Sequence, residues 1–419
     1  MDLGESLLAR LSSLFHQDPL IDEVGLLFDI KQNDLTAETA FFLENHKLGV
    51  AFVAGTSLFL AARAKFQSFN AQLQQEATEL IQSEDTRAQL LHCTRAILLI
   101  NADFYTAWNT RKVFVTRRWL DAQDEMRFTD LVFALHPKSI DTWAYRRWLA
   151  ARLCETLSGD DVGVFYAQQI KVSSRLAELK PRNYHAWSYR HWIVSRLPLM
   201  LLLKELDSMQ TWCKTHISDH SGWNHRQHTL NELAKRYQGA NTLGKPMHDL
   251  FCAEYKFVSK ILSLYSTHEA LWCHRRYVMQ CLLKQPLREE TKDTSFLLVL
   301  VSQVTSTLLD ANPKPVEPTA LRQSWDDTLK TLSNGRVEYS SVSLFLSEIE
   351  VSWKCGTPFA RRYAGWCLAR LRVYLRGRQN IGESVHDIAL SNKLSSLAST
   401  LQRVLVEDSV LERLWQCTN

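Results

Sequence analysis

Between residues 213 and 228 the chain crowds together a thiol, a carboxylate and four imidazoles: Cys213, His216, Asp219, His220, His225 and His228. Thiolate, imidazole and carboxylate are the usual zinc ligands, so the first chemistry to weigh is a metal site. Two of the six have another explanation in the pattern described below. His225 stands directly before a recurring Arg, and His228 stands at a recurring packing position. The expectation is therefore no metal on this chain. No Gly-rich phosphate loop, nucleophile elbow or His-Glu-x-x-His run occurs. Those are the arrangements by which one chain cradles phosphate, presents a serine nucleophile or holds a catalytic zinc. The sequence carries no complete active site by itself.

Composition narrows the class further. Lys and Arg total 49 against 45 Asp and Glu, and the basic residues are scattered. Without a basic stripe or a base-stacking module, nucleic acid is excluded as a partner. The longest apolar runs, such as Leu197–Leu203 and Phe296–Val301, are far shorter than the ~20 residues of a bilayer span. The start, Met1–Arg10, holds an acid and no basic run, unlike a secretory leader. Nine Cys with no Cys-x-x-Cys pair point to reduced thiols and a cytoplasmic setting. Gly and Pro are both scarce, at 14 and 10, which favours long helices with few tight turns.

The elements that must position any functional residue are repeated. Trp-x-x-Arg occurs five times, at Trp108/Arg111, Trp143/Arg146, Trp187/Arg190, Trp223/Arg226 and Trp272/Arg275, with Trp-to-Trp intervals of 35, 44, 36 and 49. A sixth, degraded copy falls at Thr357–Leu368, with Tyr363 in the Trp place and Trp366 where Arg should stand. Before each intact copy lies an apolar helical segment: Gln89–Ile100, Phe128–Leu135, Tyr166–Leu179, Met200–Trp212 and Leu250–Leu264. A short break follows, marked twice by a Pro six residues ahead of the Trp (Pro137, Pro181). Proline there ends one helix by forcing its predecessor extended. Helix, break, helix, repeated at this period, predicts an all-α superhelix, a solenoid of tandem helical hairpins. Residues three apart share a helix face, so Trp and Arg are expected to be neighbours. An apolar or aromatic residue five positions after the Trp (Val113, Trp148, Trp192, Tyr277) lies about 140° further round, against the next hairpin. The Arg is expected to stack on its Trp and bond the last carbonyls of the partner helix. Most of these residues are thus architectural.

The copy Pro181–Trp192 reads P-x-N-Y-x-A-W-x-x-R-x-W, and on it the chain resembles the protein prenyltransferase α-subunit family. Tetratricopeptide repeats have a similar period but place Leu-Gly where this chain has Arg followed by Lys112, Arg147, His191, Gln227 or Arg276. The resemblance covers about residues 86–376, with a loop insertion near 284–338 that includes the Pro-rich Ala311–Pro318. Residues 1–85, with Leu43–Val53 and a helical Gln72–Gln82, are left as a lead-in or cap, and 377–419 as a C-terminal capping helix.

What the resemblance implies is a division of labour. The family's α subunits wrap a β subunit that holds the zinc, the activated thiol and most of the isoprenoid pocket. This chain is then expected to need no cofactor of its own. It would pair with a prenyltransferase β subunit and act with geranylgeranyl diphosphate on a protein carrying a cysteine near its C-terminus. Residue by residue, the resemblance assigns Lys138 and His185 to the diphosphate, as catalytic residues. It assigns Asn183 and Tyr184 to substrate binding. The positions of Lys138 and His185 vary among the other copies, so packing does not demand those types. Farnesyltransferase-type subunits carry Tyr-Gln where this chain has Ile140-Asp141, and an Asp there would repel a substrate carboxylate. The string Pro137–Trp143 is more similar to the Rab geranylgeranyltransferase α subunit, although no leucine-rich repeats follow. Ile21–Leu26, Glu44–Val50 and Trp272–Arg276 resemble a third branch, the repeat-containing proteins, and point to a Rab-type β subunit as partner. The competing expectation is a non-enzymatic scaffold that keeps the repeats and has lost the chemistry.

Overall fold

The computed structural model describes residues 2–75, 83–239, 245–283, 323 and 340–378. The Pro-rich Ala311–Pro318, the helical reading of Glu383–Cys417 and most of Gln72–Gln82 lie outside them. The chain divides into two compact units, Met1–Pro198 and Leu199–Asn419. Among the described residues no helix is long and apolar enough to cross a membrane.

The first unit opens with α1 (Leu3–Gln17), a three-stranded sheet and α2 (Gly55–Gln75). The strands are β1 (Glu23–Leu27), β2 (Phe41–Glu44) and β3 (Lys47–Ala51), in the order β1-β3-β2. β1 runs parallel to β3, with Val24 opposite Leu48, and β2 runs antiparallel to it. Asn45 and His46 join β2 to β3 with φ of 48° and 64°. Positive φ at both central residues is the tight hairpin turn whose twist matches the strands, and Asn accepts it readily. Val24, Leu48 and Val50 are buried, and β1 packs on α5. This sheet is an addition to the all-α class expected from the sequence; Leu43–Val53 of the lead-in holds the end of β2, the turn, β3 and the start of a short 3-10 helix, Phe52–Ala54.

Three hairpins follow: α3 (Glu84–Ile100) with α4 (Tyr105–Thr116), α5 (Ala122–Leu135) with α6 (Ile140–Thr156), and α7 (Asp160–Leu179) with α8 (Tyr184–Val194). The second unit holds α9 (Leu199–Thr215) with α10 (His220–Gly239), and α11 (Lys245–Leu262) with α12 (Glu269–Leu283). Its last described hairpin is α13 (Ser340–Cys355) with α14 (Pro358–Arg378). Within each unit second helices pack on second helices, α4 on α6, α6 on α8, α10 on α12 and α12 on α14. This is the helical-hairpin solenoid that the repeat predicts.

The repeated Arg has a partner that its own motif does not contain. Arg111 forks onto Glu125 of the next hairpin, Nε to Oε2 at 2.8 Å and Nη2 to Oε1 at 2.6 Å, with both side chains buried. Tyr145 OH donates to the same carboxylate at 2.7 Å. Glu125 is thus held by the Arg of the hairpin before and by the residue before the Arg in its own. The arrangement recurs. Gln169 accepts from Arg146 Nε at 3.1 Å and from Tyr189 OH at 3.0 Å. Glu254 takes Arg226 at 2.7 and 2.6 Å and His274 Nε2 at 2.6 Å. Glu348 takes Arg275 at 3.0 and 2.6 Å and Tyr363 OH at 2.6 Å. A buried charge is tolerable only when paired and hydrogen-bonded: three rungs pair Arg with Glu, and Arg146, whose rung is the neutral Gln169, pairs with Asp130 at 2.8 Å. The guanidinium also bonds a carbonyl in mid-helix (Arg226 to Leu206 O, 2.6 Å), not the last ones.

This ladder corrects the register of the sixth copy. Tyr363 bonds Glu348 and packs on Trp272 with ring centroids 5.3 Å apart. Tyr145 does the same on Trp108 at 4.5 Å and Tyr189 on Trp143 at 5.2 Å. Tyr363 stacks on Trp366 at 5.8 Å as Tyr145 does on Trp148 and Tyr189 on Trp192, both at 5.7 Å. So Tyr363 fills the Tyr145 place and Trp366 the Trp148 place. Arg361 stands in the Trp place and Ala364 in the Arg place.

His274 stands where Tyr145, Tyr189 and Tyr363 stand, and this has a pH consequence. Burial lowers its pKa below 6.5, with Arg226 and Arg275 acting the same way and Glu254 opposing. Arg226 holds Glu254 down to about 2 against its burial, so Glu254 stays ionised. A histidine whose folded pKa lies below its unfolded value loses stability as pH falls through 6.5, by at most ~1.4 kcal/mol per pH unit. His274→Tyr is expected to abolish that share of the acid slope. Urea midpoints between pH about 7.5 and about 5.5 measure it, and an unchanged slope in the variant refutes the assignment.

Candidate functional site

The breaks between helices stack loop on loop through one recurring device. Trp143 Nε1 donates back six residues to Pro137 O at 3.0 Å, and Asn183 Nδ2 of the next loop donates to the same oxygen at 2.7 Å. Ala102 O likewise receives Trp108 Nε1 at 2.8 Å and Ser139 Oγ at 3.2 Å. In the second unit Ser266 O receives Trp272 Nε1 at 2.7 Å and Thr357 Oγ1 at 3.1 Å. Each carbonyl at a helix end would otherwise be an orphan. The residue four before the Trp place also caps its own helix: Ser139 accepts from Thr142 N, Asn183 from Ala186 N and Thr357 from Ala360 N.

This places the four sequence-predicted residues. Asn183 is fully buried, and its amide is spent on the cap and on Pro137 O. Lys138 is exposed at the adjoining loop, and its ammonium reaches across to Pro181 O at 3.1 Å. Tyr184, 69% exposed, and half-buried His185 open α8 just beyond. Among the described residues the His185 ring has no hydrogen-bond partner. The fold therefore brings Lys138, Tyr184 and His185 to one edge, with Asn183 as the clamp that holds two loops together beneath them. The α8 N-terminus, with its unpaired N–H groups, adds partial positive charge there.

Two features of this edge were not singled out in the sequence. Arg182 occupies in the third loop the position of Lys138 in the second, five before the Trp. It sits in the left-handed region at φ 59°, costing roughly 1–2 kcal/mol for a residue with a Cβ. Register equivalence with Lys138 was the available signal. Tyr105, Ile140 and Tyr184 are the first residues of α4, α6 and α8 and are 61%, 61% and 69% exposed. They form a row of large apolar groups at equivalent places, which helical periodicity within one segment does not show. Beside Ile140, burial raises the pKa of Asp141, and the neighbouring charge of Asp103 pushes it the same way. Asp103 Oδ1 accepts Ser139 Oγ at 2.7 Å and Asp141 N at 3.3 Å, anchoring the start of α6. The edge carries Asp103 at the first loop, Lys138 and Asp141 at the second and Arg182 at the third.

Three of the metal-like crowd at 213–228, His216, Asp219 and His225, have other partners. Asp219 accepts Trp212 Nε1 at 3.0 Å and caps α10 through Ser221 N and Gly222 N. His216 stacks on Trp212 with centroids 4.1 Å apart. Cys213 is buried, and His225 Nε2 bonds Glu205 at 2.7 Å. Gly222 is required, since a Cβ there would meet the Trp212 ring at 2.7 Å. Among the described residues no group of three or more His, Cys, Asp or Glu could hold a metal ion.

The family model for the protein prenyltransferase alpha subunit repeat matches residues 122–153, 166–197, 202–233 and 251–282. These are the hairpins that carry Trp143, Trp187, Trp223 and Trp272. The chain carries four copies of the prenyltransferase α-subunit repeat. It is similar to protein prenyltransferase alpha subunit repeat-containing protein 1 of Danio rerio, 29% identical over 66% of this chain and 72% of that one. To the repeat-containing protein 1-B of Xenopus laevis it is 26% identical over 88% and 97%. It is more distantly similar to the geranylgeranyl transferase type-2 subunit alpha of Sus scrofa, 26% identical over 49% of this chain and 37% of that one. The hairpin of Trp108 lies outside the matched repeats, yet its carbonyl clamp and its Arg111–Glu125 rung mark it as one of the same family of hairpins.

Proposed function

We propose that this chain is the α-type subunit of a heterodimeric protein prenyltransferase that transfers a geranylgeranyl group to protein cysteine thiols. The observation that carries this reading is the meeting of Lys138 with the third loop. Lys138, Tyr184 and His185 share one edge, and Arg182 repeats the Lys138 position. Lys138 spends one N–H on Pro181 O and keeps two to offer an anion. Charge-assisted donors of this kind strengthen as diphosphate departs and takes up charge. The zinc-bound thiolate belongs, on this reading, to a β subunit of Rab geranylgeranyltransferase type. The exposed row of Tyr105, Ile140 and Tyr184 suits a protein partner, since interfaces are enriched in such large side chains. A second reading, a scaffold without lipid chemistry, draws on Ile140 and Asp141, which put an apolar group and a carboxylate beside the edge.

Lys138→Ala in the assembled heterodimer is expected to slow single-turnover transfer about 10- to 150-fold, the worth of one charge-assisted bond. Assembly should be intact, because Lys138 is an exposed loop residue. Transfer at the wild-type rate in an intact heterodimer would remove Lys138 from the diphosphate. Absence of any transfer with any prenyltransferase β subunit would favour the scaffold.

A further inference from the structure

Among the described residues the exposed phenylalanines are Phe42, within β2, and Phe28 and Phe52, which directly follow β1 and β3. Register brings the last two together. Leu27 pairs with Ala51 across parallel β1 and β3, so the two strands leave the sheet side by side. Phe28 and Phe52 come next, with ring centroids 5.4 Å apart and 71% and 60% exposure. β2 runs the other way, and Phe41 faces Val50, so it enters the sheet at this same end. There Ala51 N donates to Ala40 O at 2.8 Å. The connection 28–40 therefore begins and ends beside the two rings. Internal bonds hold its shape: Thr39 Oγ1 donates to Asp34 O at 2.7 Å, Thr36 N donates to Thr39 Oγ1 at 2.8 Å, and Leu35 is buried.

The two ends of the sheet differ in charge. At the far end the bases are answered: Lys47 lies 2.7 Å from Asp22 and 3.1 Å from Glu23, and His46 lies 2.9 Å from Asp18. At the ring end the connection carries Asp29, Asp34 and Glu38 against Lys31 alone, all four exposed. Among the described residues none of these four makes an ion pair. Exposed rings beside unanswered acids discriminate between occupants. A lipid surface is anionic and a nucleic acid is a polyanion, so both are repelled. A second copy meeting this end with its own would set like charges together. Residues 284–339 and 379–419 of this chain each hold more acids than bases, so neither supplies the complement. What fits is positive charge next to an apolar anchor, and a cation gains further from the faces of the two rings.

We propose that the end of the sheet formed by Phe28, Phe52 and the connection 28–40 docks a basic segment of a partner protein, anchored by an aromatic or branched aliphatic side chain. The anchor packs on the paired rings, which already hold each other and so lose little freedom on binding. Lys or Arg beside the anchor answers Asp29, Asp34 and Glu38. The surface uses none of the residues of the Lys138 edge and does not depend on the prenyltransferase reading.

The test presents the full chain, with any subunit that copurifies, to an array of random-sequence peptides. The peptides retained should carry net positive charge and at least one Phe, Tyr, Trp, Leu or Ile. For the tightest of them, Phe28→Ser and Phe52→Ser should each raise Kd about tenfold or more. Both side chains are exposed, so the urea midpoint of each variant should match the parent. A triple variant, Asp29→Asn with Asp34→Asn and Glu38→Gln, leaves the rings in place. It should weaken binding and flatten its dependence on salt. Retention of neutral or acidic peptides alone, or a Kd unchanged by Phe28→Ser and by the triple variant, overturns the site. So does an array that retains nothing. Binding kept in Phe28→Ser and lost in Tyr105→Ser would assign the peptides to the Lys138 edge and overturn it equally.

Discussion

Arg111→Met is expected to destabilise the first unit by about 3–5 kcal/mol, because removing one member of a buried ion pair strands the other. Glu125 and Arg111 are both almost wholly inaccessible, at 3% and 2% exposure. Among the described residues the variant leaves the carboxylate with Tyr145 OH as its one donor. The chain itself supplies the remedy. At the next rung Gln169 stands in the Glu125 place, and the neutral amide accepts from both Arg146 and Tyr189. Adding Glu125→Gln to Arg111→Met should therefore recover most of the loss, since an uncharged acceptor still answers Tyr145. Urea denaturation of the single and double variants decides it. A double variant no more stable than Arg111→Met would mean that the cost is lost packing on Phe128, over which the guanidinium lies at 4.1 Å, and not stranded charge.

Trp143→Ala is expected to cost about 3–5 kcal/mol through loss of a large buried ring. Its consequence reaches the edge as well. Trp143 packs on Phe133 and Tyr189 with centroids 4.3 and 5.2 Å apart, and its indole N–H holds Pro137 O. That oxygen also receives Asn183, so the ring anchors the two loops that carry Lys138 and Tyr184. Trp143→Phe keeps most of the packing and gives up the N–H, for a loss nearer 1 kcal/mol. If the clamp positions the edge, Trp143→Phe should also weaken partner capture or transfer in a protein that remains folded. A phenylalanine variant with full activity would confine Trp143 to the core.

Much of the fold was legible because the repeat writes itself into local sequence. Trp-x-x-Arg places two large side chains on one helix face, and Pro137 and Pro181 end the preceding helices by backbone sterics alone. The hairpins and the helix ends before Pro137 and Pro181 follow from such short-range rules, whereas α3, α5, α7 and α11 start at Glu84, Ala122, Asp160 and Lys245, ahead of the apolar segments that announced them. The β2–β3 hairpin was less visible, since strands of four and five residues carry little periodic signal and the turn rests on Asn45 and His46. Of the edge, the resemblance named Lys138, Asn183, Tyr184 and His185, but their roles were not separable in sequence. Asn183 and His185 are two positions apart, yet one is buried under a cap and a clamp while the other is half-buried at the edge.

What the sequence determined by itself is the hairpin and its repetition, because helix formation, termination and Trp–Arg adjacency depend on neighbours within a few residues. The tertiary structure decided which charges answer one another. Glu125 serves Arg111 across 14 positions, Glu254 serves Arg226 across 28 and Glu348 serves Arg275 across 73. No fixed spacing links them, because loops of different length lie between, and only packing of one hairpin on the next brings each carboxylate to its arginine. The same packing set the sixth register through Tyr363 and joined Lys138 to the third loop. Desolvation makes those pairings matter. In water any of these charges could stand alone, and in a packed helical core each must find a partner.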